Sequence, residues 1–277
     1  MKLNKNIVIE RGHNKPIVLD YGFIEDGKPK PIVIFAHGFK GFKDWGHFNK
    51  VMEYFIANNF AFVKFNFSHN GGTVEQPTDF PDLEAFGNNN FTKELDDLKT
   101  VIDWIEDQSV KEFDTNEIYL IGHSRGGGIS IIASNEDDRI KKLITWAAVS
   151  DLTNRFSQQE LDYWKKEGVI YIENGRTKQQ MPMYYQMAED TLNNIERFSI
   201  EKAANNMIIP HLIIHGTDDN TVAENEARTI LGWNKNAELY IIDGANHTFG
   251  SVHPHIEDKL PKDLMKVLEK TIQFIRK

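Results

Sequence analysis

The chain has 277 residues, 40% of them hydrophobic and 26% charged, with a formal net charge of −9 and no cysteine. This is an ordinary composition for a globular protein with room for a large core, and it excludes disulfides, thiolate nucleophiles and cysteine-based metal sites. The acidic balance lacks the basic face of a nucleic-acid binder. No stretch reaches the ~20 apolar residues of a membrane span, and residues 1–6 carry no apolar signal-peptide core, so a cytoplasmic protein is expected.

Residues 7–10 and 17–21 are short β-prone runs joined by Gly12-His13-Asn14, which predicts a hairpin. Pro29 and Pro31 flank a turn. Residues 32–36 then form a continuous apolar run, the pattern of a parallel strand buried on both faces. Residues 48–59 read as a helix with Phe48, Val51, Met52, Phe55 and Ile56 on one face. A strand at 61–67 and a Gly/Pro/Asn-rich loop at 68–90 follow. Residues 92–108 read as a helix with Glu94, Asp96 and Asp97 crowding its first turn, where they suit the helix dipole.

Residues 118–121 are a β-prone run that ends in Gly122-His123-Ser124-Arg125-Gly126, and a helix-compatible stretch follows at 129–133. Gly-x-Ser-x-Gly between a strand and a helix is the context of a nucleophile elbow. The turn would hold Ser124 in strained backbone geometry at a helix N-terminus, where N–H groups favour developing negative charge. Gly122 and Gly126 are expected because a Cβ at either position would clash where strand and helix close on each other.

Further strands are predicted at 140–148, 208–215 and 238–242. Thr221-Val222-Ala223-Glu224 reads as a capping box opening the helix between the last two. Leu264, Val267, Leu268, Thr271 and Ile275 mark an amphipathic C-terminal helix. The alternation predicts an α/β fold with a mostly parallel sheet and helices on both faces. Residues 151–206 are too long and too polar for a simple crossover. They are expected to form a cap inserted into a core of residues 1–150 and 207–277, with Tyr163, Trp164, Tyr171, Tyr184, Tyr185 and Phe198 as its aromatic wall.

A serine nucleophile needs a base and a carboxylate that orients the base. In this strand–turn–helix setting the chain order is Ser, then Asp or Glu, then His. Two strand ends supply candidates: His215-Gly216-Thr217-Asp218-Asp219, and Asp243-Gly244-Ala245-Asn246-His247. Catalytic groups gather at such carboxyl ends in open α/β sheets. Asp243 could compete as the acid, but it lies close to His247 in sequence and is expected to approach from another side. His37 and His215 are expected to brace loops, and His123 to point away from the substrate. His69 is a minor candidate in a loop near the pocket. His253 and His255 lack the companions of a metal site. The oxyanion hole needs two N–H donors: one from Arg125, after the nucleophile, and one from the His37-Gly38-Phe39 loop.

These segments resemble the three signatures of the α/β-hydrolase family, most of all its cinnamoyl/feruloyl-esterase and dienelactone-hydrolase-like branch, which is akin to serine-peptidase catalytic domains. The likeness spans nearly the whole chain in the right order. It implies Ser124 as nucleophile, Asp219 rather than Asp218 as acid, His247 as base, and the N–H groups of Phe39 and Arg125 as oxyanion donors. Where the family often carries Val-Pro after the acid, this chain has Thr221-Val222-Ala223. The implied activity is a serine carboxylesterase acting on small to medium or aromatic esters through an acyl-enzyme. It requires no metal or organic cofactor. The alternatives are a serine peptidase or amidase with the same residues, or a non-catalytic binding protein on the same fold.

Overall fold

The run at 32–36 lies mid-sheet, and its side chains divide the molecule into two cores. A computed structural model describes residues 1–12, 14–255 and 259–277; His13 of the expected hairpin turn lies outside the described residues. The hairpin is β1 (Lys2–Ile9) and β2 (Ile17–Phe23). It is followed by β3 (Lys30–Ala36), α1 (Phe48–Ala57), β4 (Ala61–Phe65), α2 (Leu83–Gly87), α3 (Phe91–Asp107), β5 (Phe113–His123), α4 (Arg125–Glu136) and β6 (Ile140–Trp146). Next come α5 (Gln158–Glu167), β7 (Val169–Glu173), β8 (Gln180–Tyr184), α6 (Gln186–Asn193) and α7 (Ile200–Asn206). The chain closes with β9 (His211–Gly216), α8 (Glu224–Trp233), β10 (Ala237–Ile242) and α9 (Lys262–Ile275).

Among the described residues, eight strands form one sheet in the order β1-β2-β4-β3-β5-β6-β9-β10. The pairs β1–β2 and β2–β4 are antiparallel, and the strands from β4 to β10 run parallel. Alternate side chains of β3 point to opposite faces. Ile32, Ile34 and Ala36 join the core under α3, α4 and α8, while Val33 and Phe35 join the core under α1 and α9. This is the α/β-hydrolase architecture. Among the described residues no helix is long and apolar enough to cross a membrane.

The chain passes from β3 to β4 on one side and then returns to β5 on the other. The carboxyl ends of β3 and β5 therefore lie side by side at the point where strand order reverses, the place where such sheets open a crevice. Ala36 is in register with Gly122. Four charges meet where β2, β4 and the loop after β3 come together, and all but Asp44 are fully buried. Lys43 Nζ lies 2.8 Å from Asp20 and 2.6 Å from Asp44, and Lys64 Nζ lies 2.8 Å from Asp20 and also contacts Asp44.

Three expectations are corrected. The loop at 68–90 contains α2, capped by the Asp82 side chain on the Ala85 N–H. β9 starts at His211 rather than 208; Pro210 cannot donate to a ladder, and Ile208 is 85% exposed. The Thr221–Glu224 capping box does not form. α8 begins at Glu224 with Ala223 as a cap that makes no side-chain bond, because the N–H groups of Thr221 and Val222 are bonded to Asp219 instead.

Two buried imidazoles of the framework are held neutral. His211 accepts from Asn234 Nδ2 at Nδ1 and donates from Nε2 to Thr145 Oγ1, and burial pulls it down to about 3. His69, beside Ser68 Oγ, is pulled down to about 4 by burial and then by Lys93, Lys15 and Arg11. In the unfolded chain such groups titrate near the ordinary histidine value. From that value down to these depressed ones the unfolded state binds the extra protons, so stability falls as pH falls, by about 1.4 kcal/mol per pH unit for each site. Asp97, pushed up to about 7 by burial, works in the opposite direction. Thermal melts between about pH 7 and 4 should therefore show a falling Tm, and His211→Gln should flatten that slope.

Candidate active site

Ser124 stands between β5 and α4 with φ 57° and ψ −122°, a left-handed conformation that costs a side-chain-bearing residue about 1–3 kcal/mol. Close packing on both sides fixes it there. A Cβ on Gly126 would lie 2.3 Å from the His37 carbonyl oxygen, and one on Gly122 would lie 2.4 Å from Ser130 Oγ and 2.5 Å from the Gly126 oxygen. The Ser124 N–H donates to Trp146 O at 2.9 Å, and its carbonyl accepts from Gly127 N. The hydroxyl thus projects at the N-terminus of α4.

The three residues expected to act together form one hydrogen-bonded row. Ser124 Oγ lies 3.0 Å from His247 Nε2, and His247 Nδ1 lies 2.7 Å from Asp219 Oδ2. With Nδ1–H donating to the carboxylate, Nε2 is free to accept the serine proton. Asp219 follows β9 and His247 follows β10, so the parallel pairing of these strands brings the two loops together. Burial alone would raise the Asp219 carboxyl. Hydrogen bonds from His215, His247 and the Val222 N–H outweigh it and hold the group well below the usual carboxylate range. Its Oδ1 accepts from Thr221 N and Val222 N, both at 2.8 Å. Asp218 and Asp243 are not part of the row; each meets Thr217 Oγ1 at the surface.

Three other histidines frame the row. His215 is fully buried, and its Nε2 lies 2.9 Å from Val222 O and 3.2 Å from Asp219 Oδ2. His37 Nδ1 donates to Gly38 O while Nε2 accepts from Phe67 N. Burial pulls it down to about 4, which keeps it neutral, as this pairing needs. His123 corrects the expectation that it points away from the site. Its ring packs 4.9 Å from the His247 ring, its Nε2 donates to the His247 carbonyl at 3.0 Å, and burial lowers it to about 3. The residue preceding the elbow serine therefore braces the predicted base. His69 lines neither cavity beside Ser124. Among the described residues no cluster of His, Asp or Glu could hold a metal ion.

The loop after β3 passes close over the elbow: a Cβ on Gly38 would lie 2.9 Å from Ser124 Cβ. Among the described residues no acceptor takes up the backbone N–H of Phe39 or of Arg125. The Arg125 side chain turns away to pair with the buried Glu94 at 2.5 Å, and its guanidinium stacks 4.3 Å from the Phe39 ring.

Two cavities, each of about 440 Å³, meet at Ser124, Phe39, Lys40 and His247. One is mainly apolar and is walled by Leu161, Trp164, Ile172, Met183 and Met187 from the stretch between β6 and β9. The other runs beneath the β7–β8 turn past Trp45, Phe48, Asn174, Arg176 and His253. Of the six aromatics expected as a wall, only Trp164 lines the apolar cavity; Tyr163 and Tyr171 are 59% and 61% exposed. Antiparallel pairing of β7 with β8 turns Ile172 and Met183 inward and sends Tyr171 to the other face. The sequence offers only Asn174-Gly175 as a turn signal for these missed lining residues, and the loop that joins the two strands spans residues 174–179.

Family comparison matches residues 46–271 to the prolyl oligopeptidase family. A curated relative is the quorum-quenching protein AidA of Acinetobacter baumannii (strain MDR-ZJ06), 25% identical over 121 residues. The match covers 44% of this chain and only 36% of that protein. Among solved structures, Est1E from Butyrivibrio proteoclasticus with bound ferulic acid superposes with a TM-score of 0.74 at 19% identity, covering 97% of each chain. The esterase domain from a Rhodothermus marinus protein gives 0.67 at 18%, over 100% of this chain and 98% of that one. The α/β hydrolase GrgF from Penicillium sp. sh18 gives 0.76 at 13%, again over 100% and 98%. At these identities the structural likeness concerns the fold, whereas the family match runs from just before α1 into α9. The chain has the α/β-hydrolase fold and belongs to the prolyl oligopeptidase family.

Proposed function

We propose that this protein is a serine carboxylesterase with Ser124 as nucleophile, His247 as general base and acid, and Asp219 as the carboxylate that orients His247. The observation carrying this reading is the row from Ser124 Oγ through His247 to Asp219, at 3.0 and 2.7 Å. Ser124 Oγ attacks the acyl carbon while His247 Nε2 takes its proton, and the N–H groups of Phe39 and Arg125 receive the oxyanion. The tetrahedral adduct collapses. The C–O bond to the alcohol breaks and the Nε2 proton passes to the leaving oxygen. Water, deprotonated by Nε2, then attacks the acyl-serine and releases the acid.

Residues 151–206 act as a cap over a core of 1–150 and 207–277, and the apolar cavity beneath the cap takes the acyl group. A volume of about 440 Å³ is at the small end of ligand pockets, which supports small to medium or aromatic acyl groups over long lipid chains. The absence of cysteine supports a cytoplasmic setting. The family match favours a second reading, amide cleavage by the same residues, with the amine receiving the Nε2 proton. A series of 4-nitrophenyl esters of increasing chain length, assayed beside aminoacyl 4-nitroanilides, separates the two; anilide turnover exceeding that of every ester would overturn the esterase reading.

Ser124→Ala should remove turnover by a factor of about 10⁴–10⁶ and abolish labelling by a fluorophosphonate, with an unchanged circular dichroism spectrum. Near-normal activity in the folded variant would refute the nucleophile.

Asp219→Asn should lower kcat by about 10⁴, the loss known for the corresponding change in the chymotrypsin case. Asp218→Asn should stay within a few-fold of the wild type. Steady-state kinetics on one ester tests the pair, and the reverse ranking would place the acid at Asp218.

Leu161→Trp should narrow the cavity under the cap and shift preference toward short acyl chains. The kcat/KM ratio of octanoate to acetate esters should fall by about tenfold, on the scale of hydrophobic-pocket discrimination. An unchanged ratio would mean that the cap does not select the acyl group.

A further inference from the structure

The cations beside Ser124 differ in how they are compensated. Arg125 is paired with Glu94 at 2.5 Å, and Arg176 is paired with Asp79. Among the described residues Lys40 has no such partner. Its ammonium meets the Glu173 carbonyl at 3.3 Å and lies 5.7 Å from the Phe39 ring. No carboxylate among the described residues perturbs it, and burial alone lowers its pKa. Yet Lys40 lines both cavities where they meet at Ser124. It sits in a loop bent by a left-handed backbone, φ 55°, directly after Phe39.

A half-buried ammonium served by one long carbonyl contact has lost water without gaining a counter-charge, a cost that a bound anion would offset. The second cavity adds flat surface and further donors. The Trp45 and His253 rings lie 6.1 Å apart and nearly parallel, at 27°. The planar Arg176 guanidinium has more N–H groups than its contact with Asp79 uses. The chain as a whole carries −9 and so repels anions at long range, which makes a local cation in this crevice selective. We propose that Lys40 is a specificity-determining residue, selecting substrates whose alcohol half is aromatic and bears a carboxylate, held between the Trp45–His253 pair and Arg176. This rests on the hydrolase reading above for the reaction, but not for the binding.

The test compares hexanoyl esters of 4-hydroxybenzoic acid and of 4-hydroxybenzamide, which differ in charge and little in shape. Wild-type enzyme should prefer the carboxylate ester. Lys40→Met should reduce the ratio of the two kcat/KM values by about five- to tenfold, the scale of a partly exposed ion pair. Lys40→Arg should keep the preference, Arg176→Gln should lower it less than Lys40→Met, and added salt should erode it. Equal ratios in wild type and Lys40→Met would overturn the proposal.

Calorimetric binding of free 4-hydroxybenzoate and 4-hydroxybenzamide to the Ser124→Ala protein decides the matter without turnover. Tighter binding of the acid, lost in Ser124→Ala/Lys40→Met, supports the site even if neither ester is hydrolysed, a result that would sink only the esterase reading. Equal binding of the two compounds, or binding of neither, would overturn the proposal whatever the kinetics show.

Discussion

The close approach of Gly126 to the His37 carbonyl is the constraint on which the site depends. Only a residue without a Cβ fits where α4 begins, because a Cβ there would lie 2.3 Å from the His37 carbonyl oxygen. That proximity forces Ser124 into its left-handed turn and brings the loop after β3 over the serine. The Ser124 hydroxyl and the backbone N–H groups of Phe39 and Arg125 are therefore one rigid arrangement set by backbone packing. His37 fastens the same loop from beneath, through Gly38 O and Phe67 N. Three consecutive glycines make a poor helix start by propensity; the tertiary contact overrides it.

The buried charges around this arrangement play different physical parts. Asp219 is satisfied on every side, and its environment favours the ionised form. The Lys43–Asp20–Lys64–Asp44 group joins β2 and β4 to the end of the loop after β3, and Lys43 N also donates to Asn66 Oδ1 at 2.7 Å. Groups of this kind roughly break even against an apolar core, yet losing one member costs about 3–5 kcal/mol. Their effect is geometric definition of the loop more than net stability. Lys40 lies outside this pattern of mutual compensation, which is why it stands out among cations at the crevice.

The parallel core was legible because β3, β5 and β9 carry unbroken apolar runs, and the serine turn because glycine spacing leaves few other uses for Gly122 and Gly126. Asp219 was legible through family resemblance more than through physics; Asp218 is equally acidic, and only the loop geometry separates them. The start of α8 was misread because local rules favour Thr221 as a cap, while a nonlocal carboxylate claims its N–H. His123 was misread for a similar reason: its orientation depends on a loop 124 residues further along the chain. The lining of the apolar cavity is not legible in the sequence because Tyr171 and Ile172 differ only in which face of a hairpin they occupy, and pairing register decides that.

The strand order has a consequence for how the molecule matures. Ser124 follows the central strand β5, whereas Asp219 and His247 follow β9 and β10 at the far edge of the sheet. α9, arriving last, locks Trp146 through Thr271. A chain that has built only its first six strands has the serine turn but lacks the imidazole of His247 beside it. On the proposed chemistry, Ser124 gains its proton acceptor only once the final edge docks, so a nascent or partly unravelled copy would be chemically silent toward its neighbours.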